Sequence, residues 1–269
     1  MLFKDVKCPN CETYHDPTLQ ECPGCHKDNE LFALNRLPKR VVFLHPFAQM
    51  AIFLIGFAYA GMLITQVIFS FFTGLIPNDN QIFHTTVLLS LTYCAMLLGI
   101  SAVILLTRKN EFLNKFGKAQ DYIYGVAYAA TLICVGSIIS SIIALFYNAT
   151  DNINQSTAVD IAKNYPIIAV ILFVIIGPIT EELTYRVGLY SFLRRINIYA
   201  AMAITAVIFA FIHFNFDMEN MANELWALPD YIISGLILTI AYEHRGPACS
   251  ITAHMLINLF AVIFMFIEK

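Results

Sequence analysis

From Pro46 to Ile267 the chain is almost entirely apolar, interrupted at intervals by short polar stretches. The apolar runs fall near 46 to 74, 82 to 106, 122 to 147, 166 to 195, 198 to 214, 229 to 244 and 247 to 267. A run of about 20 apolar residues is long enough to cross a bilayer as a helix. The pattern therefore predicts an all-α polytopic membrane protein, a bundle of seven transmembrane helices. The fourth run turns polar after Gly177, and Gly177-Pro178 is a helix-breaking pair. A break there would release an amphipathic helix from Thr180 to Arg195 and make eight helical pieces.

The polar stretches between the runs alternate in charge. Arg36, Lys39 and Arg40 precede the first run; Arg108, Lys109, Lys115 and Lys118 separate the second from the third; Arg194 and Arg195 follow the fourth; Arg245 precedes the seventh. By contrast, Pro77 to Gln81 has no Lys or Arg, Asn148 to Tyr165 has only Lys163, and Asn215 to Leu228 carries Asp217, Glu219 and Glu224. Cytoplasmic loops collect Lys and Arg, so the N-terminus is expected in the cytoplasm and the C-terminus outside, in a bacterial plasma membrane.

Composition agrees with a lipid environment, since 58% of residues are hydrophobic and 13% charged, far from the globular average. A formal charge of -3 with its cations dispersed between apolar runs argues against a nucleic-acid surface. The N-terminus lacks the basic stretch and apolar run of a signal peptide. Neither inverted repeats nor paired broken helices point to a transporter.

The polar N-terminal 34 residues read as a separate module (1-34), followed by a basic linker (35-45) and the membrane domain (46-269). Cys8-Pro-Asn-Cys11 and Cys22-Pro-Gly-Cys25 are two CxxC turns ten residues apart. Each turn lets two thiolates converge, and two turns complete the four-sulfur tetrahedron that structural zinc prefers. The module resembles a shortened zinc ribbon. A cytoplasmic location disfavours two disulfides, and His15 and His26 are read as bystanders. With four thiolates supplied the site is closed, so its role is docking or stability. Cys94, Cys134 and Cys249 lie in apolar runs and read as small hydrophobes.

Ionisable residues inside apolar spans mark a function or a buried pair, and here they concentrate in the last third. Glu181 and Glu182 are adjacent, with Arg186 four residues beyond Glu182 and able to face it. That pair reads first as a structural salt bridge. Glu181 lies about 100 degrees round the helix, free for another partner. Phe209 and His213 share a helical face on the next run, as do His254 and Asn258 on the last. If the three stripes converge they form a hydrolytic set. A carboxylate in a water-poor site can act as general base toward water, and imidazole and amide donors can stabilise an oxyanion. His84 alone reads as a packed or interfacial residue.

Glu181-Glu182-x-x-x-Arg186, Phe209-x-x-x-His213 and His254-x-x-x-Asn258, in this order on successive runs, resemble the motifs of the CAAX protease and bacteriocin-processing family, across about Pro166 to Ile267. The resemblance implies a helical membrane bundle whose cavity opens to the cytoplasmic side. It implies that Glu181 with His213 activates water, that His254 with Asn258 forms the oxyanion site, and that Glu182 and Arg186 order the site. A metal-independent route is preferred, because HExxH is absent and Asn258 suits an oxyanion donor better than a zinc ligand. One departure stands out: the family usually has glycine directly after the arginine, whereas here Val187 precedes Gly188, which bears on close helix packing.

The expected activity is thus an intramembrane endopeptidase acting on a peptide or lipidated protein tail within the bilayer. The alternative is a non-catalytic scaffold or bacteriocin self-immunity protein that binds a peptide or membrane partner. The oligomeric state is left open.

Overall fold

The computed structural model describes residues 6–15, 19, 21–27, 41–42, 44–60, 71, 80–147 and 152–267. The basic residues Arg36, Lys39 and Arg40 and most of the far half of the first apolar run lie outside the described residues.

The N-terminal module contains a two-residue antiparallel ladder, β1 (Val6–Lys7) against β2 (Tyr14–His15), with Val6 opposite His15. The two cysteine turns are built alike. The Glu12 amide donates to the Cys8 carbonyl and the His26 amide to the Cys22 carbonyl, at 2.9 and 2.8 Å. Glu12 and His26 both adopt the left-handed conformation, with φ of 61 and 57 degrees, which turns the chain back after each second cysteine.

The membrane domain comprises α1 (Pro46–Ala60), α2 (Gln81–Asn114), α3 (Ala119–Ala144), α4 (Ile153–Asn164), α5 (Pro166–Leu193), α6 (Ile198–Phe211), α7 (Met221–Arg245) and α8 (Pro247–Ile267). Five of them, α2, α3, α5, α7 and α8, are long and apolar enough to cross a membrane, whereas α1 and α6 are shorter apolar helices. Each of the seven apolar runs of the sequence thus carries a helix. Within the stretch expected as a loop, α4 is an additional short helix. Asn152 caps it by accepting from the Gln155 amide at 2.8 Å, and Ile161 and Ala162 bury its inner face near Ala169.

Two sequence expectations need correction. The first concerns α5, which does not break at Gly177-Pro178: no separate helix starts at Thr180, and the helix runs on to Leu193. The reason is a change of hydrogen-bond register. Val170–Ile176 is wound as a π-helix, so the Gly177 amide reaches back five residues to the Leu172 carbonyl. The wider turn accommodates the proline ring that a tight helix would reject. A second π-segment, Leu183–Tyr190, follows. The second correction concerns α7, which begins at Met221, well before the expected 229, and contains Pro229. Gly246, with φ of 81 degrees, then ends α7 and lets Pro247 open α8.

The largest buried cluster joins α1, α2, α5 and α7 through Ile52, Ile100, Ile104, Leu183, Val187, Tyr190 and Tyr242. Val41, Val42 and Leu44, from the stretch expected to be linker, are fully buried in the same cluster. Three bonds fasten them: the Val42 amide donates to Tyr242 Oη (3.0 Å), Gln49 Nε2 to the Val42 carbonyl (3.2 Å), and Arg195 Nη2 to the Leu44 carbonyl (2.6 Å).

The glycine displaced by one residue in the motif finds its reason here. Val187 is buried in the core, while a side chain at Gly188 would come within 2.9 Å of the Phe53 amide nitrogen and 3.2 Å of the Gln49 carbonyl of α1. α1 and α5 therefore approach closely at Gly188, as they do again where Gly56 meets Thr184. Gly188→Val is expected to destabilise the protein by about 1–3 kcal/mol or more through overpacking, measured as a lower unfolding temperature in detergent, whereas Val187→Ala acts instead by leaving a small void.

Candidate active site

Arg186 is the innermost charge of the site, with no exposed surface. It ion-pairs with Glu182 Oε1 through Nη1 at 3.0 Å, donates from Nη2 to the Gly235 carbonyl at 3.1 Å, and lies 4.6 Å from the centroid of the Phe209 ring. The helical spacing of Glu182 and Arg186 makes their pairing local, while Gly235 and Phe209 bring in α7 and α6. A buried charge survives only with such compensation.

Glu182 also holds His254. Because a carboxylate only accepts, His254 Nδ1 donates to Glu182 Oε1 at 3.0 Å. The ring's far side then faces Glu181, with Nε2 3.8 Å from Oε2. The other oxygen, Glu181 Oε1, accepts from Tyr93 Oη of α2 at 3.1 Å. Adjacent carboxylates on α5 thus point to different neighbours, as their angular separation on a helix requires.

His213 does not sit on α6 itself. The helix ends at Phe211, and His213 occupies the turn beyond it, its amide donating to the Ala210 carbonyl at 3.0 Å. Its Nδ1 donates to the Phe209 carbonyl at 2.8 Å, which leaves Nε2 as the unprotonated atom of a neutral ring. The imidazole stacks on Tyr231 of α7, centroids 4.5 Å apart and planes at 15 degrees, and packs against Phe209 at 4.9 Å. It lies within the electrostatic field of Glu181, His254 and Arg186.

Asn258, one turn beyond His254 on α8, donates from Nδ2 to the Phe173 carbonyl at 2.8 Å. This bond follows from Pro178. In the i−5 register set by Gly177, the next amide would serve Phe173, and proline has none to give. The orphaned carbonyl is capped by Asn258, whose second amide hydrogen remains to be used.

The fold thus brings Glu181, Glu182, Arg186 and His254 into direct proximity, sets His213 beside them across Phe209, and seats Asn258 against the first π-segment. Tyr93 and Tyr231 escaped the sequence reading. A tyrosine in an apolar run is unremarkable by type, and only the bundle shows which tyrosine meets a carboxylate or an imidazole. Glu224, read as a loop acid, is a buried structural group, accepting from the Ile153 amide and the Asn215 amide at 2.9 Å each. It ties the start of α4 to the turn that follows His213.

At the N-terminus the Cys8, Cys11, Cys22 and Cys25 sulfurs all lie within 4.8 Å of one another. Separations of 3.4 Å for Cys11–Cys22 and 3.8 Å for Cys8–Cys25 approach the ~3.8 Å edge of a tetrahedron with zinc–sulfur bonds of about 2.3 Å. The four thiols could therefore hold a metal ion. Hydrogen bonding by Thr13 pulls the Cys11 thiol down to about 6, which favours the thiolate that a metal requires.

Removing Glu182 alone would leave Arg186 buried and unpaired and His254 unanchored. Glu182→Ala is expected to cost about 3–5 kcal/mol of stability, seen as a large fall in unfolding temperature. The double substitution Glu182→Leu with Arg186→Met should recover most of that loss, because it removes both buried charges.

Comparison with known proteins bears on this site. Residues 163–260 match the family described as Type II CAAX prenyl endopeptidase Rce1-like. The match contains Glu181, Glu182, Arg186, His213, His254 and Asn258, and leaves out Tyr93 and the cysteine module. The UPF0177 protein YvdC of Lactococcus lactis subsp. lactis is 24% identical over 179 residues, which cover 66% of this chain and 66% of that relative. This chain therefore spans about two thirds of the length of the curated relative it matches. No solved structure matches. With five helices long and apolar enough to cross a membrane among the described residues, the chain is an integral membrane protein, and its residues 163–260, which carry the acid and imidazole groups of the site, are similar to the Rce1-like CAAX prenyl endopeptidases.

Proposed function

We propose that the protein is a membrane endopeptidase that hydrolyses a peptide bond in a peptide or prenylated protein tail, using Glu181 as general base. The similarity of residues 163–260 to the Rce1-like endopeptidases supports a membrane endopeptidase in general. The observation that carries the finer reading is the placement of Glu181. Glu182 is committed to Arg186 and His254, whereas Glu181 Oε2 faces His254 Nε2 across 3.8 Å. That separation is too long for a direct hydrogen bond, so Oε2 is left free to accept from a water seated beside the pair. Glu181 takes the proton of that water as it attacks the scissile carbonyl, and His213, whose Nε2 is left open, assists the transfer and returns the proton to the leaving amine. His254, as an imidazolium that donates from Nε2 while Nδ1 stays on Glu182, and the second amide hydrogen of Asn258 stabilise the oxyanion, while Glu182 and Arg186 hold His254 in place. The chemistry is assigned to these residues without a catalytic metal.

The sidedness proposed is a cytoplasmic N-terminus and an external C-terminus in a bacterial plasma membrane. Arg195 bonds to the stretch before α1, and Arg194 forms a two-point ion pair with Glu243 near the end of α7, at 2.7 and 2.5 Å. The basic ends of α5 and α7 and the N-terminal stretch therefore share one face of the bundle, as the positive-inside rule requires.

Glu181→Ala and His213→Ala are each expected to lower the cleavage rate of a prenylated peptide in reconstituted membranes by about 10²–10⁴-fold, with insertion and unfolding temperature retained. Turnover near the wild-type rate in both variants would sink the assignment.

We propose that the ion at Cys8, Cys11, Cys22 and Cys25 is zinc, in a structural role. Elemental analysis should find one zinc per chain, lost in a Cys11→Ser, Cys22→Ser variant and released as acid protonates the thiolates. Cleavage by that variant should stay within about twofold of wild type. If chelator abolishes cleavage by the variant and zinc restores it, a second, catalytic metal is required and the metal-independent mechanism fails.

A further inference from the structure

We propose that Tyr93 is the positioning residue of the catalytic carboxylate, holding Glu181 out of hydrogen-bond contact with His254 so that its second oxygen stays free for the attacking water. The inference rests on the reading of Glu181 as general base. Tyr93 belongs to α2, outside the stretch that matches the endopeptidase family, so the base is held by a part of the chain that the family match does not reach.

Glu181 has two oxygens and two unlike neighbours. Oε1 accepts from Tyr93 Oη at 3.1 Å, and Oε2 stands 3.8 Å from His254 Nε2. His254 cannot retreat, because Glu182 fixes its Nδ1 at 3.0 Å and Arg186 in turn fixes Glu182. The freedom in this arrangement therefore belongs to Glu181. The oxyanion role of His254 requires a proton on Nε2 as well as on Nδ1, and a glutamate side chain released from Tyr93 gains most by swinging onto that nearby donor in a low-dielectric bundle. That move would close the gap to hydrogen-bond length and tie up the oxygen that has to take the proton of the attacking water. The phenol opposes it by giving Oε1 a charge-assisted bond in the other direction.

Tyr93 is itself well seated for the task. Its ring lies against α5 at Gly177, where an added Cβ would be 3.7 Å from Cε1 and Cζ, so the ring approaches the helix one turn before the glutamate it serves. Because α2 runs alongside α5, the tether is as rigid as the helix pair that carries it.

The test is Tyr93→Phe in the full-length protein in proteoliposomes, with a fluorogenic prenylated peptide as probe and Glu181→Ala in parallel. Tyr93→Phe is expected to lower kcat by about 10- to 100-fold, the size of one lost charge-assisted hydrogen bond, with KM within twofold and the unfolding temperature unchanged. In a Glu181→Asp background, whose shorter side chain cannot reach the phenol, the same substitution should cost less than twofold. This non-additivity is the signature of a shared interaction. If Tyr93→Phe keeps wild-type kcat while Glu181→Ala is inactive, the tether is disproved and the general base stands. If Tyr93→Phe raises KM and lowers the unfolding temperature together, Tyr93 is a packing residue and the proposal is overturned. Full turnover by Glu181→Ala overturns both the base and its tether.

Discussion

A guanidinium with no exposed surface needs compensation from its surroundings, and Arg186 draws it from one residue of each of three helices, although its Nε has no hydrogen-bond partner among the described residues. Glu182 supplies charge from α5, the Gly235 carbonyl accepts from α7, and Phe209 of α6 offers its ring face. The fourth helix joins through Glu182, whose Oε1 also receives His254 of α8. Losing Glu182 would strand the arginine's charge in an apolar bundle. The mutual orientation of α5, α6, α7 and α8 is thus tied to one side chain. The same contacts that satisfy Arg186 present His254 to Glu181.

Backbone irregularity is the second device. The first π-segment of α5 admits Pro178 without ending the helix and leaves the Phe173 carbonyl for Asn258. The early end of α6 puts His213 in a turn, where its ring can bond back to the Phe209 carbonyl and stack on Tyr231. Non-helical or re-registered backbone is tolerated in a membrane protein only where buried partners satisfy it. Asn258 at the first π-segment and Glu224 behind the turn are such partners.

The front of the chain is joined to this core more tightly than its polarity suggests. Val42 donates to Tyr242 Oη, which lies 2.9 Å from Ser191 Oγ, and Ser191 donates in turn to the carbonyl of Arg186. A continuous set of buried bonds therefore runs from the stretch that follows the cysteine module to the backbone of the central arginine. The family match begins at residue 163, yet Val41, Val42 and Leu44 complete the core and Tyr93 the surroundings of Glu181.

By itself the sequence determined the elements and the chemistry they carry. Long apolar runs can only be helices in lipid, because the backbone has no other way to satisfy its polar groups there. Paired CxxC turns and the ordered Glu-Glu-Arg, His and His-Asn stripes were legible because side-chain type and short spacing fix local geometry. Tertiary structure decided what depends on distant partners. Whether Gly177-Pro178 breaks a helix turned on room for a wider turn, and whether Glu224 is a loop acid or a buried tie turned on two amides from other segments. The choice of Tyr93 among thirteen tyrosines as the partner of Glu181 was likewise set by α2 packing against α5. Hydrogen bonds across 70 to 90 residues of sequence leave no periodic trace in the chain, so only the packed bundle can assign them.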